Sequence, residues 1–353
     1  MSHPALLNKT DFAIATLLLA DEEGVAQFVP CVQATFDIGV AGEPVLTEQQ
    51  PPVLLAGRWR ADPAKTSLIQ EPQMAFVKPT TDVVLVGHAY ATTGGRTEGL
   101  VGIRLGPVQK AARVFGDRRF VSRFGIWRVS SPSPFEKMPI TYERAFGGWD
   151  RRAADAIRHR CEVRNPVGVG FQISAPDEEG SPLPNFEDPQ HLIQTWSDRP
   201  PPAGFGFVSP DWQPRLGFAG TYDATWQTQR RPLLPADFDR RFFNAASPGL
   251  VTSQHLQGNE SGLVIGATAQ GRLEFRLPGV PAPVCLVELR GRKRVRVITA
   301  LDTVVVDADA RTLTLTWRGH LAVRNGPHDI RSIEVHPNES SASSASVSVS
   351  LIH

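Results

Sequence analysis

The clearest order in the chain is a period-two alternation. Val32, Ala34, Phe36 and Ile38 alternate with Gln33, Thr35 and Asp37, which predicts a half-buried strand with one wet face. Residues 12–20 form a second β-prone run, separated from 25–38 by Asp21-Glu22-Glu23-Gly24. Two such runs around a short acidic, Gly-ended turn predict a hairpin. Residues 45–72 are punctuated by Pro and suggest a loop with one short strand or helical turn. Runs at 76–78, 83–91, 98–105, 109–115 and 119–129 follow, with Gly94-Gly95 as a turn and the Ser/Pro-rich 130–138 as a connector. A second series, at 263–269, 272–277, 284–289, 294–300, 303–307, 312–318 and 321–323, predicts a meander of strands joined by Gly-containing turns. Helical periodicity is weak and predicts only short pieces at 150–160 and 192–196.

The expected fold is therefore mainly β: antiparallel sandwich- or barrel-like sheets in two halves, residues 5–135 and 251–335, with few short helices. Residues 136–250 join them as an ordered, irregular layer rich in aromatics, Pro and Gly, and all three parts belong to one domain. A Ser-rich tail occupies 339–353, within which 347–351 alternates again as a last edge strand.

Residues 184–244 dominate the layer. They hold Trp196, Phe205, Phe207, Trp212, Phe218, Tyr222, Trp226, Phe238, Phe242 and Phe243 among many Asp and Arg residues. So many aromatics argue against disorder. Trp212, Tyr222 and Trp226 are expected to anchor the fold, and Asp–Arg hydrogen bonds to pin the layer.

The run PAGFGFVSPDWQPRLGFAGTYDATW (residues 202–226) followed by RRPLLPADFDRRFFNAA (230–246) resembles a bacterial family of uncharacterised domains. The genes of that family sit beside the spike genes of type VI secretion systems. KPTTDVVLVGHAYA (78–91), RVFGDRRF (113–120), ITYERAFGG (140–148), NPVGVGF (165–171), LPNFEDP (183–189) and LDTVVVDADARTLTLTWRG (301–319) are similar to the same family in the same order. The resemblance covers roughly residues 5–325. It implies an adaptor or chaperone that helps load an effector onto the secretion spike, with an effector or spike-tip protein as partner.

The composition fits that picture. Of 353 residues, 41% are hydrophobic and 21% charged, as in ordinary globular proteins, and 30 Pro with 30 Gly favour turns and short strands. A net charge of +1 gives no general pull toward nucleic acid or anionic membrane. Arg290, Arg292, Lys293, Arg294 and Arg296 form a basic cluster, but Arg294 and Arg296 alternate with Val295 and Val297 as on a solvent-facing strand face. Cys31, Cys161 and Cys285 are odd in number and far apart, which argues against a disulfide framework and for a reducing compartment. The apolar run 12–20 is too short to cross a bilayer and lacks the flanks of a signal peptide. The expected location is the cytoplasm.

No phosphate-binding GxxxxGK[ST], HExxH or GxSxG pattern occurs. His88 has no second ligand at usable spacing and fits a packed or hydrogen-bonded histidine. Glu187 and Asp188 are sequence neighbours, which on extended backbone point to opposite faces. Asp188 is expected to cap a turn that begins at Pro189. Cys161, beside His159 and Glu162, is expected to be a half-buried, unreactive thiol. No catalytic, cofactor or metal residues are assigned, and the expected activity is binding. The expected contact surface lies between Pro200-Pro201-Pro202 and the charged run Asp237 to Arg241, with Trp212, Arg215, Tyr222, Trp226, Arg231, Asp239 and Arg241 as candidates. Tyr142, Glu143 and Arg144 form a second candidate group, with Glu143 and Arg144 expected to satisfy each other. The alternative reading is a hydrolase or carbohydrate-active enzyme with Trp212, Trp226, Asp211 and Asp223 in its cleft.

Overall fold

The computed structural model describes residues 4–91, 95–177, 179–291, 293–323 and 326–338. The expected tail and the run at 347–351 lie outside the described residues, as do Arg292 and Gly94.

The expected hairpin forms between Ala13–Ala20 and Ala26–Ile38, in antiparallel register with Ala20 opposite Ala26. Ala26–Ile38 is the hub of a seven-stranded sheet. It also pairs with Thr312–Arg318, Pro44–Leu46 and Leu321–Ala322. Beyond Thr312–Arg318 lie Ala300–Asp307 and, parallel to it, Asp82–Val86. A five-stranded antiparallel sheet runs Phe186–Glu187, Val108–Phe115, Glu98–Leu105, Ser261–Ile265, Arg272–Arg276. A four-stranded sheet joins Ala5–Asn8, Ile330–His336, Val284–Leu289 and Arg294–Ile298. The fold is mainly β, as the alternation predicts. Each large sheet mixes strands from the two ends of the chain, so the second series of strands is not a separate meander.

The hub strand corrects one expectation. Both of its faces are buried, not one. On one face, Ala34 and Phe36 pack with Val101, Ile103 and Phe275 of the five-stranded sheet, while Phe28 and Val32 pack with Cys285, Val287 and Ile333 of the four-stranded sheet. The opposite face carries Cys31, Gln33 and Thr35 and is covered by the segment that follows. The Gln50 side chain accepts from the Thr35 amide at 2.8 Å and donates to its carbonyl at 3.0 Å. Arg318, opposite Cys31, donates to Asp302 at 2.6 Å and to the Ala75 carbonyl at 2.9 Å. Lys78 donates to Asp82 at 2.7 Å and Thr303 at 3.0 Å. Polar side chains are buried here because each meets a partner.

Residues 83–91 break into Asp82–Val86 and His88–Tyr90 at Gly87, whose φ of 128° suits only glycine. His88 is hydrogen-bonded as expected, to Asp309 at 2.5 Å. Residues 76–78 form no strand, and the stretch 45–72 holds three short ones: Pro44–Leu46, Arg58–Trp59 and Leu68–Gln70.

The helices differ from expectation. Residues 150–160 hold only a single 3-10 turn, Ala156–Arg158, because Trp149–Asp150 pairs with Arg160–Cys161 and the Asp150 carboxylate is taken by Arg152. Residues 192–196 form no helix. The α-helix among the described residues is Ala224–Gln229, capped by Asp223, whose carboxylate accepts from the Trp226 amide at 2.8 Å. Among the described residues, no helix is long and apolar enough to cross a membrane.

Candidate functional site

The layer 136–250 is built from turns, short helices and two- or three-residue strands, many of them tied by side-chain hydrogen bonds. Tyr142–Arg144 is a 3-10 turn. Buried Asn165 fastens it by donating to the Tyr142 carbonyl at 2.8 Å and the Phe146 carbonyl at 3.0 Å. The three residues of the turn then part company. Tyr142 turns inward, its ring edge-on to Trp212 at 5.4 Å and 85°. Gly204 makes room for it, since a Cβ there would lie 2.2 Å from the ring. Glu143 accepts from the Ser67 amide at 2.7 Å and hydroxyl at 2.9 Å. Arg144 donates to Asn185 at 2.8 Å. Glu143 and Arg144 therefore satisfy distant partners, not each other, because the turn sends them in different directions.

The other expected contact residues fall into two classes. Trp212 is 4% exposed and Arg215 is equally buried. Arg215 donates to Glu71 at 3.0 Å, to the Val208 carbonyl at 2.9 Å and to the Phe242 carbonyl at 2.8 Å. These two are interior anchors. Tyr222 is 54% exposed, which overturns its expected role as a buried anchor. It stands edge-on to half-buried Trp226 at 4.7 Å. The Trp226 indole donates to the Leu233 carbonyl at 2.8 Å. Arg231 is exposed. Arg241 donates twice to Asp239, at 2.8 and 2.6 Å, and lies over the Phe218 ring at 4.4 Å. Tyr222, Trp226, Arg231, Asp239 and Arg241 thus belong to the outer side of the layer.

Asp211 is exposed and accepts from the Ser209 hydroxyl at 2.5 Å, and Asp223 is occupied as a helix cap. Glu187 and Asp188 diverge as expected. Glu187 is buried, accepts from the Ile193 amide at 2.8 Å and pairs with Arg118; burial pushes its carboxyl up while Arg118 pulls it back. Asp188 caps its turn, accepting from the Gln190 amide at 2.9 Å. Cys161 is half-buried, and loss of hydration together with Glu162 raises its thiol further.

Between the five-stranded sheet and the irregular layer lies a cleft of about 920 Å³. Its floor comes from three strands of the five-stranded sheet and takes residues from both faces, Ile103 and Lys110 from one and Gly102, Arg104, Gln109, Ala111, Leu263 and Ile265 from the other. Gly102 lies opposite Ala111 and Ile265, and Arg104 opposite Gln109 and Leu263. Its walls come from the irregular layer, including Tyr142, Pro189, Pro202, Val208 and Pro214. Of the ten expected contact residues, Tyr142 alone is part of the lining.

The sequence reading missed Lys110, which also lines this cleft. It faces the core side of its strand, opposite Ile103. Its Nζ donates to the Ser247 hydroxyl at 2.6 Å and the Pro248 carbonyl at 2.9 Å, 5.9 Å from the centre of the Phe205 ring. Burial pushes its ammonium down to about 8, with Asp188 pulling the other way. The signal was present in the sequence: Val108, Lys110, Ala112 and Val114 share one face of a period-two strand. The Tyr142 hydroxyl is buried near Ser247 yet makes no hydrogen bond in good geometry, and burial raises it to about 12. Lys110 and Tyr142 thus meet at one cleft through Ser247, and the ammonium keeps one hydrogen to spare.

Interleaved sheets and a preformed cleft define a mainly β protein. A family model described as "Uncharacterized protein conserved in bacteria (DUF2169)" matches residues 23–318, and the chain belongs to that family. No curated protein and no solved structure significantly matches it.

Proposed function

We propose that this protein acts by binding another protein, as a cytoplasmic adaptor or chaperone that helps load an effector, or a spike-tip protein, onto a type VI secretion spike. One observation carries most weight. The segments 140–148, 183–189 and 202–226, separate in sequence, were each singled out by resemblance to a family encoded beside spike genes. They meet around one cleft, through Tyr142, Asp188, Pro189, Ala203, Val208, Gln213 and Pro214. Shared recognition machinery on a preformed scaffold suits a protein that must hold a partner and release it. The outer side of the layer, with Tyr222, Trp226 and Arg241, offers the aromatic and arginine residues that interfaces favour.

The test is to delete the gene and follow a neighbouring effector. Loss of effector stability or delivery, while the rest of the machine still fires, is the expected result. Unchanged effector level and delivery would overturn the reading. So would a turnover activity in the purified protein that disappears in Asp211→Asn or Asp223→Asn.

A further inference from the structure

The cleft over the five-stranded sheet holds cationic groups that the rest of the protein compensates only in part. Lys110 lines it and hydrogen-bonds only two neutral oxygens, Ser247 Oγ and the Pro248 carbonyl. Arg104, on the floor, makes no ion pair among the described residues. Arg164, on the wall, is engaged by Glu162 at 2.7 Å. Asp188 is the one carboxylate in the lining, and its oxygens already serve the Gln190 amide and, at 3.4 Å, His191. The buried Tyr142 hydroxyl, also in the lining, has Ser247 as its one polar neighbour, the same side chain that Lys110 bonds. A part-buried ammonium with one hydrogen to spare, sharing Ser247 with a buried phenol, is stabilised when something anionic completes it.

The surroundings are apolar. Prolines 189, 202, 214 and 248, with Val208 and Leu263, make up much of the surface. The floor spans three strands, roughly 10 Å at the usual strand spacing, which is about three residues of extended chain. From this geometry we infer that the cleft receives a short extended segment of a protein partner, whose Glu or Asp side chain, flanked by apolar residues, bonds Lys110 and the Tyr142 hydroxyl. A charge-assisted bond formed out of water is strong and selective. The inference rests on the adaptor reading for the protein that brings the segment, but not for the chemistry of the cleft.

The probes are two capped peptides, acetyl-Leu-Pro-Val-Glu-Pro-Leu-amide and the same peptide with Gln in place of Glu. The readouts are calorimetric affinity and the pH titration of the Lys110 side chain by NMR. The Glu peptide is expected to bind about tenfold more tightly than the Gln peptide. It should also move the Lys110 titration upward, as an opposite charge does. In Lys110→Met, checked for folding by denaturant titration, the preference should fall below about twofold. Equal binding of the two peptides to the wild type, absence of binding at about 1 mM, or an unmoved Lys110 titration would each overturn the site, without relying on any variant. The two readings fail separately. A protein that selects the Glu peptide but retains none of its encoded neighbours refutes the adaptor and keeps the site. One that retains a neighbour equally well as Lys110→Met and shows no peptide preference keeps the adaptor and refutes the site.

Discussion

Arg215 and Glu71, 144 residues apart, form a buried two-pronged ion pair that ties the irregular layer to the segment covering the hub strand. The guanidinium also lies 5.0 Å from the Phe242 ring centre. Removing one partner of such a pair strands a charge. Glu71→Ala is expected to cost about 3–5 kcal/mol, and Glu71→Gln, which keeps a hydrogen-bond acceptor, less. Denaturant unfolding of both variants checks the order.

Trp212 and Tyr222 should separate fold from surface. Trp212→Ala leaves a hole against Tyr142 and Val208 and is expected to cost about 3–5 kcal/mol. Tyr222→Ala gives up little more than an edge contact with Trp226, below about 1.5 kcal/mol. If the outer side of the layer contacts the partner, Tyr222→Ala weakens co-purification of the neighbouring effector while its melting temperature stays within a few degrees of wild type.

Asp150 links stability to pH. The Arg152 side chain, helped by the Ile173 and Arg152 amides, holds its carboxyl far below the usual carboxylate range against the opposing effect of burial. A carboxylate depressed in the folded state contributes stability that is present above its unfolded value, about 3.9, and is lost as pH falls through the folded value. Asp150→Asn should therefore cost about 1.5–3 kcal/mol at neutral pH, and the gap to wild type should narrow progressively below about pH 4. Parallel unfolding curves from pH 7 to pH 2 are the measurement; a constant gap would contradict it.

Gly204→Ala places a methyl group 2.2 Å from the Tyr142 ring. The ring must move or the backbone must yield, at about 1–3 kcal/mol. Because Tyr142 lines the cleft, this variant should also alter ligand binding there. A crystal structure showing an unmoved ring would show that the backbone yields instead.

Strands were legible where alternation was strict. The runs 284–289 and 312–318 match Val284–Leu289 and Thr312–Arg318. The pairing of Thr312–Arg318 with Ala26–Ile38 was not legible, because pairing between residues more than two hundred positions apart leaves no local trace. The stretch 150–160 misled because its alanines suit a helix, whereas hydrogen bonds to the Asp150 carboxylate and a bridge at Trp149 fix extended backbone. Tyr222 misled because aromatic residue type says nothing of which side of a short helix it will flank. Lys110 was readable as a cation on an apolar strand face, but the cleft that gives it meaning is assembled from widely separated parts of the chain, from Gly102 to Ile265.

The interleaving of the sheets also bears on synthesis. Asp82–Val86 waits for Ala300–Asp307, Glu98–Leu105 for Ser261–Ile265, and Ala26–Ile38 for Thr312–Arg318. A polypeptide leaving the ribosome amino end first cannot close any of the three large sheets until its final third has emerged. For all that interval the thirteen residues of the hub, apolar along one face, present unpaired backbone on one side, the kind of edge that recruits strangers. The nascent protein is thus itself a natural client for holding factors, and slowing translation of its last hundred codons should prolong that exposure and raise the insoluble fraction.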